Sequence, residues 1–398
     1  MKNILFLTHL YPYPPDDGGR IVTFNTINEL HKYGHNIFLC TFADKDEKLN
    51  KIPIDVECSV IPFNYDNTYS GLLKNICQKE PFNMKKYINT DMERAIKQIL
   101  EKNEIDIVYI DHLHMAYYAK FINRLNSNIR FVLRQHNVES TIFERAVKEE
   151  KSFAKKMYLK LQHKKLYKYE SEIVSLFEKI YTITEEDKER LYSMNSKVQI
   201  TNLPAGVDVS KYFPMENKNK TDYPTLVFLG TMSWLPNING IEWFLEKVFP
   251  GVLKVHPHTK LYIVGKNPPE KIYRYQKQYT ENIVITGYVE DERDYVARAD
   301  AFIVPLRIGG GMRIKILNAL AMRKAVVTTT IGVEGIQLGE KSLLVADSGE
   351  EFLNATLKLI QDKQLSKQIS TNGWKDVTEK YTNESILYHH AKELELNF

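Results

Sequence analysis

Residues 301–321 read Ala301-Phe-Ile-Val-Pro305-Leu-Arg-Ile-Gly-Gly310-Gly-Met-Arg-Ile-Lys315-Ile-Leu-Asn-Ala-Leu320-Ala321. A β-favouring run ends at a proline, crosses three glycines and continues into apolar residues at helical spacing. A strand that turns through glycines into a helix is one repeat of a parallel, doubly wound sheet. Glycines let backbone N–H groups approach an anion with no Cβ in the way. The helix that follows adds the positive end of its dipole. Arg313 and Lys315 then place two cations in the predicted first turn, where the dipole prefers acids. That placement fits a doubly charged anion seated over the loop, with Arg307 just upstream able to close on it. The competing reading is a plain glycine loop whose cations face solvent.

The same alternation extends in both directions. Around this unit the predicted strands are Thr225–Leu229, Leu261–Val264, Ile283–Thr286, Ala301–Pro305, Ala325–Thr329 and Leu343–Val345. Upstream lie Ile4–Thr8, Ile37–Phe42, Val56–Phe63, Ile105–Ile110, Phe131–Gln135 and Ile180–Thr184. Their hydrophobicity is continuous rather than alternating, as expected of strands covered on both faces. The expected fold class is therefore α/β, with two doubly wound domains in tandem. We expect a first domain over 1–195, a second over 196–380, and a last helix over 381–398 crossing back to the first. Met215–Asp222 is the most loop-like stretch. Tandem domains of this kind are expected to bind a ligand in a cleft facing the carboxyl ends of both sheets.

Composition narrows the function. The chain has 398 residues with a net charge of +4, is 43% hydrophobic and is 26% charged. This describes a globular chain long enough to need no disulfide or structural metal. So small a charge excess argues against a nucleic-acid binder. Cys40, Cys58 and Cys77 are widely spaced, which suits reduced thiols in a cytoplasm and no zinc ribbon. The apolar Ile4–Leu7 run reads as a buried strand rather than a signal peptide. There is no P-loop, no G-x-G-x-x-G after the first strand and no His-x-x-x-His pair. Asp44-Lys45-Asp46 reads as a solvated turn rather than a metal motif, so no metal is expected.

Further candidates lie in the first half. Tyr11–Arg20 follows the first strand and carries a second glycine pair, Gly18-Gly19. Asp111, His112 and His114 follow the strand ending at Ile110, and His136 follows the next one. Such strand-end groups can converge on one site, where a histidine suits a hydroxyl contact or a proton transfer. Each histidine alone reads equally well as a capped core or surface residue. Between Arg145 and Glu170, nine Lys/Arg face three acids. The segment reads as one long helix with Phe153, Ala154, Met157, Tyr158 and Leu161 on a shared face. Either that face packs into the core under a solvated lysine face, or the helix docks on an anionic membrane surface.

With these residues in view, the chain resembles the group 1 glycosyltransferases, family four of the retaining nucleotide-sugar transferases with the GT-B double-Rossmann fold. The resemblance spans essentially the whole chain. It rests on Gly18-Gly19, His136–Ser140, Leu203–Asp208, Phe228–Trp234, Gly287-Tyr288-Val289, the triple-glycine loop and Ile331–Gly335. It is strongest toward a bacterial subgroup of surface and exopolysaccharide assembly. It implies a nucleotide-diphosphate sugar donor, UDP- or GDP-linked, and a glycan or lipid-linked acceptor. It implies no metal, other cofactor or nucleic acid, and a cytoplasmic place with possible peripheral contact to the inner face of the plasma membrane. Arg313 and Lys315, with Arg307, Gly310 and Gly311, would hold the diphosphate. Gly18 and Gly19 would contact the diphosphate or acceptor, and Gly287 and Val289 would lie beside the base. Asp111 and His136 would orient the transferred sugar and the acceptor.

Two pairs of positions depart from the family pattern. Its usual pair of glutamates, eight positions apart, is replaced by Gly310 and Asn318. Asn318 keeps a carbonyl acceptor for ribose hydroxyls but loses the charge. Met232 and Asn239 stand roughly where the family has an arginine and a lysine. A nucleotide-sugar epimerase of the same fold and a catalytically silent binding subunit therefore remain open beside the transferase.

Overall fold

The protein is described from a computed structural model, which covers residues 1–397 except 16, 47–48, 67–68 and 217–220. Asp16, two residues before the Gly18-Gly19 pair, and part of the polar Met215–Asp222 stretch therefore lie outside the described residues.

Seven parallel strands form the first sheet: β1 (Asn3–Thr8), β2 (Asn36–Asp44), β3 (Glu57–Phe63), β4 (Ile107–Asp111), β5 (Arg130–Gln135), β6 (Lys179–Thr182) and β7 (Ile200–Asn202). Their spatial order is β3-β2-β1-β4-β5-β6-β7. The strand order reverses between β1 and β4, which pair with Thr8 opposite Asp111. Both faces are covered, which explains the unbroken apolar runs. Leu5 and Leu7 join one buried cluster with Val108 and Ile110. Ile4 and Phe6 join another with Tyr109, Ile27 and Leu30.

The second sheet holds β8 (Thr225–Leu229), β9 (Lys260–Val264), β10 (Ile283–Gly287), β11 (Ala301–Val304), β12 (Val326–Thr328) and β13 (Leu344–Val345). Their order is β10-β9-β8-β11-β12-β13, all parallel, with the reversal between β8 and β11.

The chain divides into two compact units, Met1–Pro204 with Ile386–Phe398, and Ala205–Ser385. The expected boundaries near 195 and 380 thus shift to 204 and 385. Residues 200–202 are strand β7 of the first sheet rather than linker, because Ile180, Tyr181 and Thr182 pair with them. In the last helix, Asn383–Asn397, Ala391 and Leu394 join the first unit's core and His390 Nε2 lies 3.0 Å from Tyr109 Oη.

The basic segment is two helices, Glu139–Glu149 and Phe153–Ile173. Of the two readings of its apolar face, packing into the core does not hold. Phe153 is 81% and Met157 51% exposed. The buried stripe is Gln162, Leu166, Glu170 and Ile173 instead. Two of its members are polar and anchored. Gln162 Oε1 accepts from Phe82 N, and Glu170 accepts from Ser140 and the start of the preceding helix.

Candidate functional site

At a reversal of strand order, side chains from two neighbouring strand ends meet with no crossover covering them. Each unit has one such point, and the candidate residues gather at both.

In the first unit, β1 ends at Thr8 and is followed by His9, while β4 ends at Asp111 and is followed by His112. The Asp111 carboxylate is fully buried. Its Oδ1 lies 2.9 Å from His136 Nε2, and its Oδ2 accepts from the Thr23 hydroxyl. Thr23 lies on the helix Gly18–Lys32, whose first turn is capped by Asp17 accepting from Arg20 N. Gly19 opens that helix beside the site, where an added Cβ would sit 3.9 Å from His112 Nε2. Burial alone would raise the Asp111 pKa. The His136 and His112 imidazoles and the hydrogen bonds from His136 and Thr23 outweigh it, holding the carboxyl well below the usual range. Asp111 is a fixed anion at the strand end.

Around it stand four imidazoles. The His112 ring lies 3.6 Å from His136, 4.4 Å from His9 and 6.2 Å from His114, and His9 stacks on His114 at 4.6 Å. Burial first, and mutual repulsion second, hold His9 and His112 well below the ordinary histidine pKa. His114 is lowered to about 3 by burial and the nearby Lys86 charge. Behind them, Arg134 is buried with its guanidinium donating to Thr26, and its carbonyl accepts from His112 N at 2.9 Å. His136 is held from the other side. The buried Glu170 carboxylate accepts from Glu139 N, Ser140 N and Ser140 Oγ at 3.0, 3.1 and 2.6 Å, pinning the helix start just after it.

In the second unit, β8 ends at Leu229 and β11 runs into the glycine loop. Gly309 and Gly311 adopt φ of 115° and 72°, where a side chain is strained. Arg313 is the N-cap of the helix Ile314–Ala321 rather than part of its first turn. It is buried. Its Nη1 donates to the Gly310 and Gly311 carbonyls, and its guanidinium stacks 5.4 Å from the Trp234 ring. Lys315 reaches across to β8, donating to Leu229 O at 2.6 Å and Asn237 Oδ1 at 2.8 Å. Burial, reinforced by Arg313, lowers its pKa to about 7. A Cβ on Gly230 would lie 2.6 Å from Asn237 Nδ2 and 2.8 Å from Lys315 Nζ, so glycine leaves room for this arrangement. Arg307 stacks 5.8 Å from the Trp243 ring. Asn318 is buried on the same helix as Lys315. Gly287 ends β10 at φ 68° with open space around its Cβ position, and Val289 follows two residues later, half-buried. Met232 is buried, and Asn239 Oδ1 is buried without a hydrogen-bond partner.

The structure thus joins Asp111, His136 and Gly19 in one cluster, and Arg313, Lys315, Gly310 and Gly311 in another. Sequence reading missed His9, Thr23 and Asn237. His9 carries the signal that singled out His112 and His136, a titratable residue just past a strand end. Thr23 and Asn237 carry none, because each matters only through the partner that folding brings to it.

Residues 223–362 match the family model described as "Glycosyl transferases group 1", and residues 17–211 match "Glycosyltransferase Family 4". The chain is 24% identical to an uncharacterised 44.6 kDa protein in the cps region of Klebsiella pneumoniae, covering 99% of this chain and 100% of that protein. Among solved structures, sucrose-phosphate synthase from Thermosynechococcus elongatus superposes with a TM-score of 0.77 at 15% identity, over 100% of this chain and 99% of that one. Anabaena HepE in complex with UDP and glucose gives 0.70 at 12% identity, over 100% of both chains.

Proposed function

Because the chain belongs to the group 1 glycosyltransferases, we propose that it moves a sugar, with retention of configuration, from a UDP- or GDP-linked donor to a glycan or lipid-linked acceptor in surface polysaccharide assembly. The observation that carries this reading is the second unit's strand-order reversal. Glycine N–H groups, a helix start, Arg313 and Lys315 stand together there, with Arg313 donating to the Gly310 and Gly311 carbonyls and Lys315 to Leu229 O and Asn237 Oδ1. Such a group suits a diphosphate.

As the bond from the sugar to the diphosphate breaks, negative charge grows on the departing oxygen and positive charge on the sugar ring. Preorganised donors stabilise the first charge without reorganising during the reaction. Phosphate oxygens would replace the Leu229, Gly310 and Gly311 carbonyls as acceptors for Lys315 and Arg313, so this step calls for no metal. Asn318 would accept from a ribose hydroxyl through its amide oxygen. The acceptor hydroxyl bonds to the sugar on the face the diphosphate leaves, and its proton passes to the departing phosphate oxygen. Asp111 and His136, fixed to each other, would orient the hydroxyls of sugar and acceptor. HepE carries UDP and glucose, which supports a uridine donor here. The cps-region relative supports a capsular product.

The test is a panel of nucleotide sugars with purified protein, reading released nucleoside diphosphate and sugar transfer together, with the anomeric configuration of the product by NMR. Release coupled to a retained linkage is expected. Isomerised donor would point to an epimerase, and binding without turnover to a silent subunit; either outcome overturns the proposal.

The exposed Phe153 and Met157 are flanked by Lys151, Lys155, Lys156 and Lys160. Apolar anchors among cations suit an anionic lipid surface. No helix among the described residues is long and apolar enough to cross a membrane. Sedimentation with vesicles should show binding that needs anionic lipid and weakens with salt. Absent or salt-insensitive binding would remove this element.

A further inference from the structure

We propose that His9, His112 and His114 form a binding site for a divalent transition-metal cation of the zinc type at the carboxyl ends of β1 and β4. One ligand nitrogen from each ring lies within 4.8 Å of those of the other two. The three come from different elements: the residue after β1, the residue after β4, and the short 3-10 turn Leu113–Met115.

Three features favour a metal over plain packing. His9 Nδ1 and His114 Nδ1 are buried with no hydrogen-bond partner, although His9 is only 8% exposed. Buried polar atoms are ordinarily satisfied, so two orphans in one cluster mark a ligand position. His112 is held at φ 73° and ψ 143°, a conformation that a residue with a side chain rarely adopts. Backbone held in such a region gathers at ligand sites. Finally, an all-imidazole set suits zinc, cobalt or nickel and not the oxygen-seeking magnesium or calcium.

The overlapping group Asp111, His112 and His136 is the poorer cage. Both Asp111 oxygens already accept hydrogen bonds, from His136 and from Thr23. Asp111 lies nearby as a carboxylate 3.8 Å from His112 Nε2, beyond hydrogen-bond distance, and a small shift of the ring would bring the two together. Partners of this kind orient metal-bound histidines. Tetrahedral zinc at ~2.0–2.1 Å needs its nitrogens roughly 3.4 Å apart. The rings must therefore close by about an ångström, and the stacked His9–His114 pair must tilt. A cation here ties the end of β1 to the end of β4 and is separate from the diphosphate step proposed above.

The test uses the untagged full chain, loaded with Zn²⁺ and dialysed, with bound metal read by elemental analysis and coordination by Co²⁺ absorption. About one retained equivalent, tetrahedral cobalt bands and a Zn²⁺-dependent rise in melting temperature are expected. His9→Ala and His114→Ala should each lose all three, while the exposed His258→Ala control should keep them. Far-UV circular dichroism and the metal-free melting temperature establish that each variant is folded. If His9→Ala fails to fold, His114→Ala decides. No retained metal in the wild type, or retention that survives His114→Ala, overturns the proposal. So does retention lost in His136→Ala but kept in His9→Ala.

Discussion

The two units repeat one topology and equip its reversal point in opposite ways. In the first, β1 and β4 end in a buried carboxylate ringed by imidazoles, every one within reach of another ring. In the second, β8 and β11 run into glycines, a buried arginine and a half-buried lysine, both of which donate to backbone carbonyls. On the function proposed above, the first set would orient hydroxyls and the second would hold a strong anion. A shared topology thus supplies two equivalent positions, and the residues immediately past the strands give each a different set of side chains.

This contrast is most exposed to test in the second unit. Lys315→Ala and Arg313→Ala should each lower turnover about 10²–10³-fold, equivalent to roughly 3 kcal/mol of lost charge stabilisation. Steady-state kinetics with the best donor of the panel measures it; near-normal turnover in both variants removes the diphosphate role. In the first unit, Asp111→Asn and His136→Ala remove an orienting group rather than a charge sink. About a 10–100-fold fall in kcat is expected, and wild-type transfer in both would take these residues out of the site. A smaller effect is expected at Gly230→Ala. Its Cβ would collide with Asn237 and Lys315, so donor KM should rise by roughly tenfold as the lysine is displaced. An unchanged KM would show that the lysine's position there is not needed.

The subtlest signal is a proton. Lys315 titrates near 7, against ~10.4 in an unfolded chain. Between these pH values the folded state binds fewer protons. The stability penalty from this group is therefore fully present below about 7 and lifts as pH rises toward ~10.4. A bound diphosphate would restore the lysine's proton. Calorimetry in buffers of differing ionisation enthalpy should show uptake that grows from pH ~6 to ~8 and vanishes in Lys315→Met. Equal uptake in that variant would place the proton elsewhere.

Much of this was readable beforehand, and the failures have causes. The long apolar strands read true to within a residue or two, and Thr225–Leu229 to the residue. β7 escaped because three half-buried residues ending in Thr201 and Asn202 carry no strand pattern of their own. The break at 150–152 contains neither glycine nor proline to announce it. Periodicity groups Phe153, Met157 and their neighbours on one face of the basic helix without saying whether that face points inward, and the structure leaves Phe153 and Met157 exposed. Gln162 and Glu170 are buried by partners distant in sequence, Phe82 and Ser140, so no local signal marks them.

Local patterning was enough for the α/β class, the restart of the pattern midway and the cationic glycine loop, because strands, helices and turns each leave a short-range periodic or compositional trace. Only the tertiary structure decided that Lys315 bonds across to Leu229, that Asp111 is gripped by His136 and Thr23, and that His9 joins His112 and His114. These contacts link residues from 25 to more than a hundred positions apart, and their geometry comes from strand order and register, which no local window of sequence contains.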